Sequence, residues 1–446
     1  MRAKARGRSV LVAPPEVLAS LTAPPDTLAL PREYNAASHF IDRHLREGRG
    51  AKVALLDDAG ETTYGRLAER VNRAGNVLRA LGLDAEQRVL MCMLDTADFP
   101  AVFWGAIKIG AVAVPVNTLL STADFAHMLR DSRARIVVVS APLYPKLEPA
   151  LKDLPFLRAV VVAGASASET APGTLVLEEL LAAASPELEA APTTPDDVAF
   201  WLYSSGSTGA PKGAVHLHQD LVHTAVLYGE RVLGIREDDV LFSAAKLFFA
   251  YGLGNAMTFP LQVGATAVLR AERPTPQAVM DTLRRHQPTI FFGVPTLFAA
   301  ILADEASVRE TGSRRLRICV SAGEALPREI GERWARRMAA DILDGLGSTE
   351  LLHIFLSNRP GDVRYGTTGT PVPGYELRLV DENGAPVHDG EVGELLVKGP
   401  TASPYYWNNR ARSLATFQGP WTRTGDKYVR DAEGYYTYAG RSDDMI

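Results

Sequence analysis

"YSSGSTGAPKGAV", residues 203–215, crowds serine, threonine and glycine around one lysine, a composition suited to holding phosphate. Three readings compete for it: a Walker-type P-loop, another nucleotide-binding turn, and an ordinary mobile turn. A Walker loop has the form GxxxxGK[ST], and Gly206 and Lys212 stand at the right separation. Pro211, however, occupies the place of the second glycine, and Gly213 the place of the magnesium-binding hydroxyl. Proline removes a backbone N–H from the cradle, so the P-loop kinase or ATPase reading is weak. Ser204, Ser205, Ser207 and Thr208 still offer hydroxyls, and Gly206 and Gly209 allow close backbone approach. The run "DVAFWLY" before the stretch reads as a buried strand, and "GAVHLHQDLVHTAVLYGERV" after it contains a helix. Strand, glycine-rich turn and helix together suit an anion, although a mobile turn fits the same residues taken alone.

On either side, strand-like and helix-like segments alternate. "KVALLDD", "RVLMCML" and "RIVVVS" are separated by amphipathic stretches such as "TTYGRLAERVNRAGNVLRALG", and a second such region runs from about 195 to 345. This pattern predicts an α/β fold of two subdomains with largely parallel sheets. After about residue 360 the texture changes to short alternating segments broken by Gly and Asp, as in "YELRLVDENGAPV" and "KYVRDAEGYYTYAG", which read as hairpins of a small, distorted β-barrel. The expected organisation is an N-terminal arm over 1–35, α/β subdomains over 36–194 and 195–358, and a barrel over 359–440. A short stub remains at 441–446.

The whole chain narrows the function classes. Its 446 residues exceed one small core, and 46% hydrophobic with 22% charged residues is a globular composition. A net charge of -5 without a basic tract argues against nucleic acid as a partner. Two cysteines, Cys92 and Cys319, lie in apolar runs and provide neither a disulfide framework nor a zinc site. The basic N-terminus is broken by Pro14 and Pro15 and does not read as a signal peptide, and no apolar run reaches the length of a membrane span. The expected location is the cytoplasm.

Further motifs follow in order: "SAGEALP" (321–327), "GLGSTE" (345–350), "WTRTGD" (421–426) and "GRSDDMI" (440–446). With the opening stretch, they resemble the signatures of the adenylate-forming superfamily of acyl- and aryl-CoA synthetases, luciferases and peptide-synthetase adenylation domains. The resemblance implies that a carboxylate attacks the α-phosphorus of ATP, pyrophosphate leaves, and the acyl group then passes to a thiol. It implies ATP, Mg2+ and coenzyme A as the ligands of the intact enzyme. Ser204, Ser205, Gly206, Ser207, Thr208, Gly209 and Lys212 would hold the β- and γ-phosphates. Thr349 would donate to the α-phosphate and Glu350 would ligate Mg2+, making Thr208, Lys212, Thr349 and Glu350 the catalytic set. Ser321, Gly323, Glu324, Asp344, Gly345 and Leu346 would form the adenine site, where Leu346 replaces the stacking aromatic of many relatives. Asp426 and Arg441 would hold the ribose. Taken alone, "STE" reads as a helix N-cap, "SAG" as a routine strand-to-helix connection, Asp426 as a turn residue and Arg441 as a solvated one.

"SAAKLFFAYGLGNAMTFPL" (243–261) and "LLHIFLSN" (351–358) resemble the acid pocket of the benzoate-CoA ligase branch. In that resemblance Phe249, Ala250, Tyr251 and Gly252 line a flat apolar slot that Gly347, Ser348, His353 and Ile354 close. Without it, "LFFAYGLG" reads as a core helix and His353 as a buried core histidine. Benzoate is the acid implied, with substituted benzoates as secondary substrates. Asp443 matches the family's hinge, so the chain reads as the large N-terminal domain without its C-terminal lid, with reduced adenylation and little thioesterification expected. The alternatives are adenylation for loading a carrier protein and a silent adenylate-binding module. The resemblance leaves a homodimer open and gives no membrane partner.

Overall fold

The computed structural model describes residues 28–204 and 210–441. Of the expected arm only residues 28–35 are described; Ser205, Gly206, Ser207, Thr208, Gly209 and Asp443 lie outside the described residues.

Two sheets form the centre, and their strands are continuous apolar runs because both faces are covered. Ile136–Ser140, for instance, is buried along its whole length. The first sheet has seven strands, in the order Leu175–Val176, Ala159–Ala163, Ile136–Ser140, Arg88–Cys92, Val112–Pro115, Val198–Ser204 and Lys212–Leu217. The second has nine, and its parallel core runs Asp341–Gly347, Ile318–Ser321, Ile290–Gly293, Val240–Ser243, Thr266–Val268 and Val53–Asp57. Helices cover both. Tyr64–Ala80 begins where the Thr63 side chain accepts from the Arg66 N–H and buries Leu67, Val71, Ala74 and Leu78 at helical spacing. It lies so close to Asp98–Lys108 that a Cβ on Gly105 would stand 2.7 Å from the Gly75 nitrogen, which is why two glycines face each other there.

Strand membership cuts across the boundary expected at 194/195. Val53–Asp57, from the first sequence block, pairs in parallel with Thr266–Val268 in the nine-stranded sheet. Val198–Ser204 and Lys212–Leu217, from the second block, close the seven-stranded sheet. The apolar pattern identifies a strand but carries no information about its partner, so each sheet exchanges a hairpin with the other.

The opening stretch also differs from the strand, turn and helix expected. Val198–Ser204 and Lys212–Leu217 are antiparallel, with Ser204 opposite Lys212, and the helix begins only at His218. The candidate phosphate turn therefore joins two strands of a hairpin and does not open a helix. Pro211 and the glycines read as a break before a helix, whereas "KGAVHL" continues as a buried strand.

The chain after residue 370 forms an entirely antiparallel sheet of Glu376–Val380, Val392–Lys398, Trp421–Arg430, Phe417–Gln418 and Tyr436–Arg441, as the hairpin texture implied. A segment of this region reaches back to the hairpin: Val215 N–H donates to Tyr405 O at 3.2 Å and Trp407 N–H to Gly213 O at 2.8 Å. Trp407 stacks on Trp201 at 4.4 Å, and its Nε1–H donates to Asp131 O at 2.9 Å. The segment 405–407 thus packs against the base of the phosphate hairpin. Among the described residues no helix is long and apolar enough to cross a membrane.

Candidate active site

Parallel sheets direct their connecting loops to the carboxyl ends of the strands, where a crevice forms. Here those ends enclose a cavity of about 810 Å3. Leu94, Thr118 and Leu143 reach it from connections that follow strands of the seven-stranded sheet, and Ala244, Val294 and Gly347 from the carboxyl ends of strands of the nine-stranded sheet or just beyond them.

At one end Phe249, Ala250, Tyr251, Gly347, Ser348, His353 and Ile354 share the wall, which brings together all but one of the residues expected for the acid slot. The exception is Gly252. A Cβ there would stand 2.0 Å from Lys246 O and 2.5 Å from Ala245 O, so its space is filled by backbone and it does not reach the cavity. Phe249 is 45% exposed and stands at the mouth. Tyr251 is fixed by donating its hydroxyl to Val320 O at 3.0 Å.

His353 is 3% exposed, between the rings of Tyr228, Tyr251 and Phe259. Its Nε2 faces two acceptors, Tyr251 O at 3.2 Å and Asn255 Oδ1 at 3.1 Å, so Nε2 carries the proton. Nδ1 is buried without a partner, and burial pushes the imidazole down to about 3. His353 is therefore a neutral, flat wall at working pH.

Asp95 and Lys246 also line the cavity, although no sequence motif marks them. Both Asp95 oxygens accept from the Leu247 N–H, at 3.2 and 3.3 Å, and burial pushes the carboxyl up to about 6. Lys246 Nζ donates to Glu272 O at 2.6 Å.

Toward the expected adenine site, Ala322 and Gly323 reach the cavity, with Gly323 at φ +95° in the turn after Ile318–Ser321. Ser321 and Asp344 are register partners on neighbouring strands. Ser321 Oγ and Asp344 Oδ1 are both buried without a hydrogen-bond partner, and burial pushes Asp344 up to about 8. Unsatisfied buried acceptors of this kind mark a missing donor. Glu324, Gly345 and Leu346 flank this point without joining the cavity wall. Asp426 and Arg441 also lie off the wall, on paired strands, with Arg441 Nη1 donating to Asp426 Oδ1 at 3.0 Å. Burial raises the Asp426 carboxyl, and the Arg441 guanidinium opposes it.

Thr349 lines the cavity, and the charged cluster lies beside it. No helix follows "STE"; the chain turns through Leu352 at φ +66° into the strand Ile354–Ser357, which removes the N-cap alternative. Glu350 Oε1 accepts from Tyr406 OH at 2.6 Å and from Ser204 Oγ at 3.5 Å, and lies 3.6 Å from Lys212 Nζ. Lys212 Nζ also donates to Tyr406 OH at 3.0 Å. Burial lowers the lysine's proton affinity, and Glu350 opposes that shift. These contacts all fall on Oε1, which leaves Oε2 for a hard cation. Among the described residues no group of three His, Cys, Asp or Glu side chains gathers to hold a metal. A single carboxylate with substrate phosphates is how Mg2+ is commonly held, so the donor set fits that ion.

His216 was not legible as part of this site. Its Nε2–H donates to Thr349 O at 2.7 Å, while Nδ1 faces Asp220 Oδ2 at 3.0 Å. It ties the turn carrying Thr349 and Glu350 to the phosphate hairpin.

Fold and site together define an adenylate-forming enzyme: two largely parallel sheets enclose an apolar cavity with a charged cluster beside it, and an antiparallel sheet follows. The chain belongs to the AMP-binding enzyme family, whose model matches residues 42–407. It is 59% identical over 424 residues to a benzoate–CoA ligase of Thauera aromatica, covering 95% of this chain and 79% of that protein. Among solved structures, a benzoate CoA ligase from Burkholderia xenovorans LB400 matches with a TM-score of 0.86 at 52% identity, over 93% of this chain and 81% of that one. The anthranilate CoA ligase AuaEII in complex with anthranoyl-AMP matches with a TM-score of 0.91 at 43% identity, over 94% and 80%.

Proposed function

We propose that the protein is an AMP-forming benzoate–CoA ligase. The observation that carries this reading is that the apolar slot around His353 and the charged cluster at Glu350 meet on one short turn, Gly347–Glu350, beside one cavity. The identity to the Thauera ligase points to the same acid.

The slot sorts the two ends of benzoate. His353 is neutral and its neighbours are apolar, so the slot wall at Phe249, Ala250, Tyr251 and Ile354 supplies no cation for a carboxylate. The ring enters there, a burial worth roughly 2–3 kcal/mol, and the carboxylate stays toward Thr349. One carboxylate oxygen then attacks the α-phosphorus of ATP. The bond from that phosphorus to the bridging oxygen breaks, and its electron pair leaves with pyrophosphate. Thr349 donates to the α-phosphate as negative charge gathers there, and Lys212 faces the departing pyrophosphate with Ser204 and the turn between them. A Mg2+ held by Glu350 supplies charge neutralisation when bound. The buried Asp344, whose Oδ1 has no partner, accepts from the adenine amino group, and Asp426, held by Arg441, accepts from the ribose. In the second half-reaction the thiolate of coenzyme A attacks the acyl carbon, the carbon–oxygen bond of the mixed anhydride breaks, and AMP leaves.

The test is product identity and acid preference in one assay. With benzoate, ATP, Mg2+ and coenzyme A, the expected products are AMP, pyrophosphate and benzoyl-CoA, with benzoate ahead of anthranilate and 4-hydroxybenzoate in kcat/KM. Release of ADP, or transfer of the acyl group only to a carrier protein, would sink the reading.

A further inference from the structure

Between Lys212 and Glu350 stands a side chain that no motif contains. Tyr406 is 2% exposed and is contributed by the antiparallel region, 194 positions from Lys212. Its backbone is held on three sides: it bridges Ala214 on the phosphate hairpin, its N–H donates to Ser413 Oγ at 2.9 Å, and its neighbour Trp407 is stacked on Trp201. Its ring lies against Phe417 at 5.1 Å and beneath the Lys212 ammonium at 4.5 Å. The hydroxyl therefore has little freedom, and it does two things at once. It accepts from Lys212 Nζ at 3.0 Å and donates to Glu350 Oε1 at 2.6 Å.

The lysine and the glutamate are only 14% and 15% exposed, so their attraction is poorly screened. With nothing between them they would close to a contact ion pair. Substrate would have to break that pair before the ammonium could meet a phosphate oxygen or the carboxylate a cation. In the structure they form a loose ion pair, 3.6 Å from Nζ to Oε1 and longer than an ordinary hydrogen bond, with the phenol hydroxyl beside them engaging both.

We propose that Tyr406 is a positioning residue that acts as a neutral spacer. It holds Lys212 and Glu350 apart, each partly satisfied, so that both remain available to a polyphosphate and its divalent cation. The inference rests on the ligase reading, which assigns those two residues to ATP.

The test is Tyr406→Phe, which keeps the ring and the cation–π contact and removes only the hydroxyl, and an unchanged unfolding midpoint checks its fold. Two readouts are needed. In steady state KM for MgATP and the half-saturating Mg2+ concentration should rise about 10-fold, the size of one charge-assisted hydrogen bond, with KM for benzoate unchanged. By calorimetry without Mg2+, inorganic pyrophosphate should bind Tyr406→Phe about 10-fold more weakly than wild type, because Glu350 now captures the lysine. In a Glu350→Gln background the same substitution should cost nothing, since no ion pair remains to be tightened. Equal pyrophosphate affinity in wild type and Tyr406→Phe overturns the spacer. So does an equal loss in both backgrounds, which is the mark of a purely structural tyrosine. Failure of the wild-type protein to bind pyrophosphate at all would take down the ligase reading as well.

Discussion

The two ends of the site are built in opposite ways. At the charged end, the working atoms of Ser204, Lys212, Thr349 and Glu350 come from a hairpin of one sheet and a turn of the other, with Tyr406 supplied from the segment between Val392–Lys398 and the helix Arg410–Thr416. At the apolar end, one helical segment from Ala250 to Thr258 faces one strand, Ile354–Ser357, across His353. The first end works through charges and their hydrogen bonds, the second through shape fixed by close packing around one neutral ring. Changes at the two ends should therefore fail differently.

The largest effect is expected at the charged end. Glu350→Gln removes the candidate metal carboxylate and leaves Tyr406 only a neutral acceptor, and should lower kcat for adenylation on the order of 100- to 1000-fold with benzoate affinity retained. Equilibrium binding of benzoate beside single-turnover rates separates the two. An equal loss of benzoate affinity would mean that the ends are not independent.

Gly254→Ala makes the converse change. A Cβ there would stand 2.5 Å from His353 Cδ2 and 2.8 Å from Nε2, and the ring has no room to retreat. It should raise KM for benzoate by about 10- to 100-fold while KM for MgATP holds. A change confined to MgATP would break the comparison.

Smaller effects separate the ends by pH. His353 has its proton affinity lowered to about 3 by burial, below the roughly 6.5 of an unfolded histidine. The folded chain therefore binds fewer protons there, and stability is lost as pH falls from about 6.5 toward 3. Asp344 is the mirror case, raised to about 8 from roughly 3.9 in the unfolded chain, so stability is lost as pH rises between those values. In thermal unfolding without nucleotide, Asp344→Asn should gain on wild type at pH 8.5 and not at pH 4. His353→Gln, which can keep a donor near Nε2, should gain at pH 5 relative to pH 7.5. The same pH trend for both variants would contradict the opposed burial of these groups.

This contrast also explains what the sequence made legible. Phosphate chemistry requires particular residue types at fixed spacing, so Lys212, Thr349 and Glu350 were visible as motifs, and the alternation of apolar runs gave the α/β class. Strand partnership was not visible, because the pattern of "KVALLDD" says that it is buried but not beside what; its pairing with Thr266–Val268 is set by tertiary assembly. Tyr406 and His216 were missed for the same reason, since each acts on a residue more than a hundred positions away. Gly252 was placed on the slot by resemblance, whereas the structure gives its space to the carbonyls of Ala245 and Lys246. The neutrality of His353 depends on a burial that no local pattern reveals.

The central claim is that the two ends form one site for one molecule, an aryl adenylate. Calorimetric titration of the protein with benzoyl-AMP, beside AMP and benzoate separately, tests it most directly. The account predicts that benzoyl-AMP binds at least about 100-fold more tightly than AMP, because ring burial and nucleotide contacts are gained together. Binding no tighter than AMP would contradict it, leaving a nucleotide site without an aryl slot.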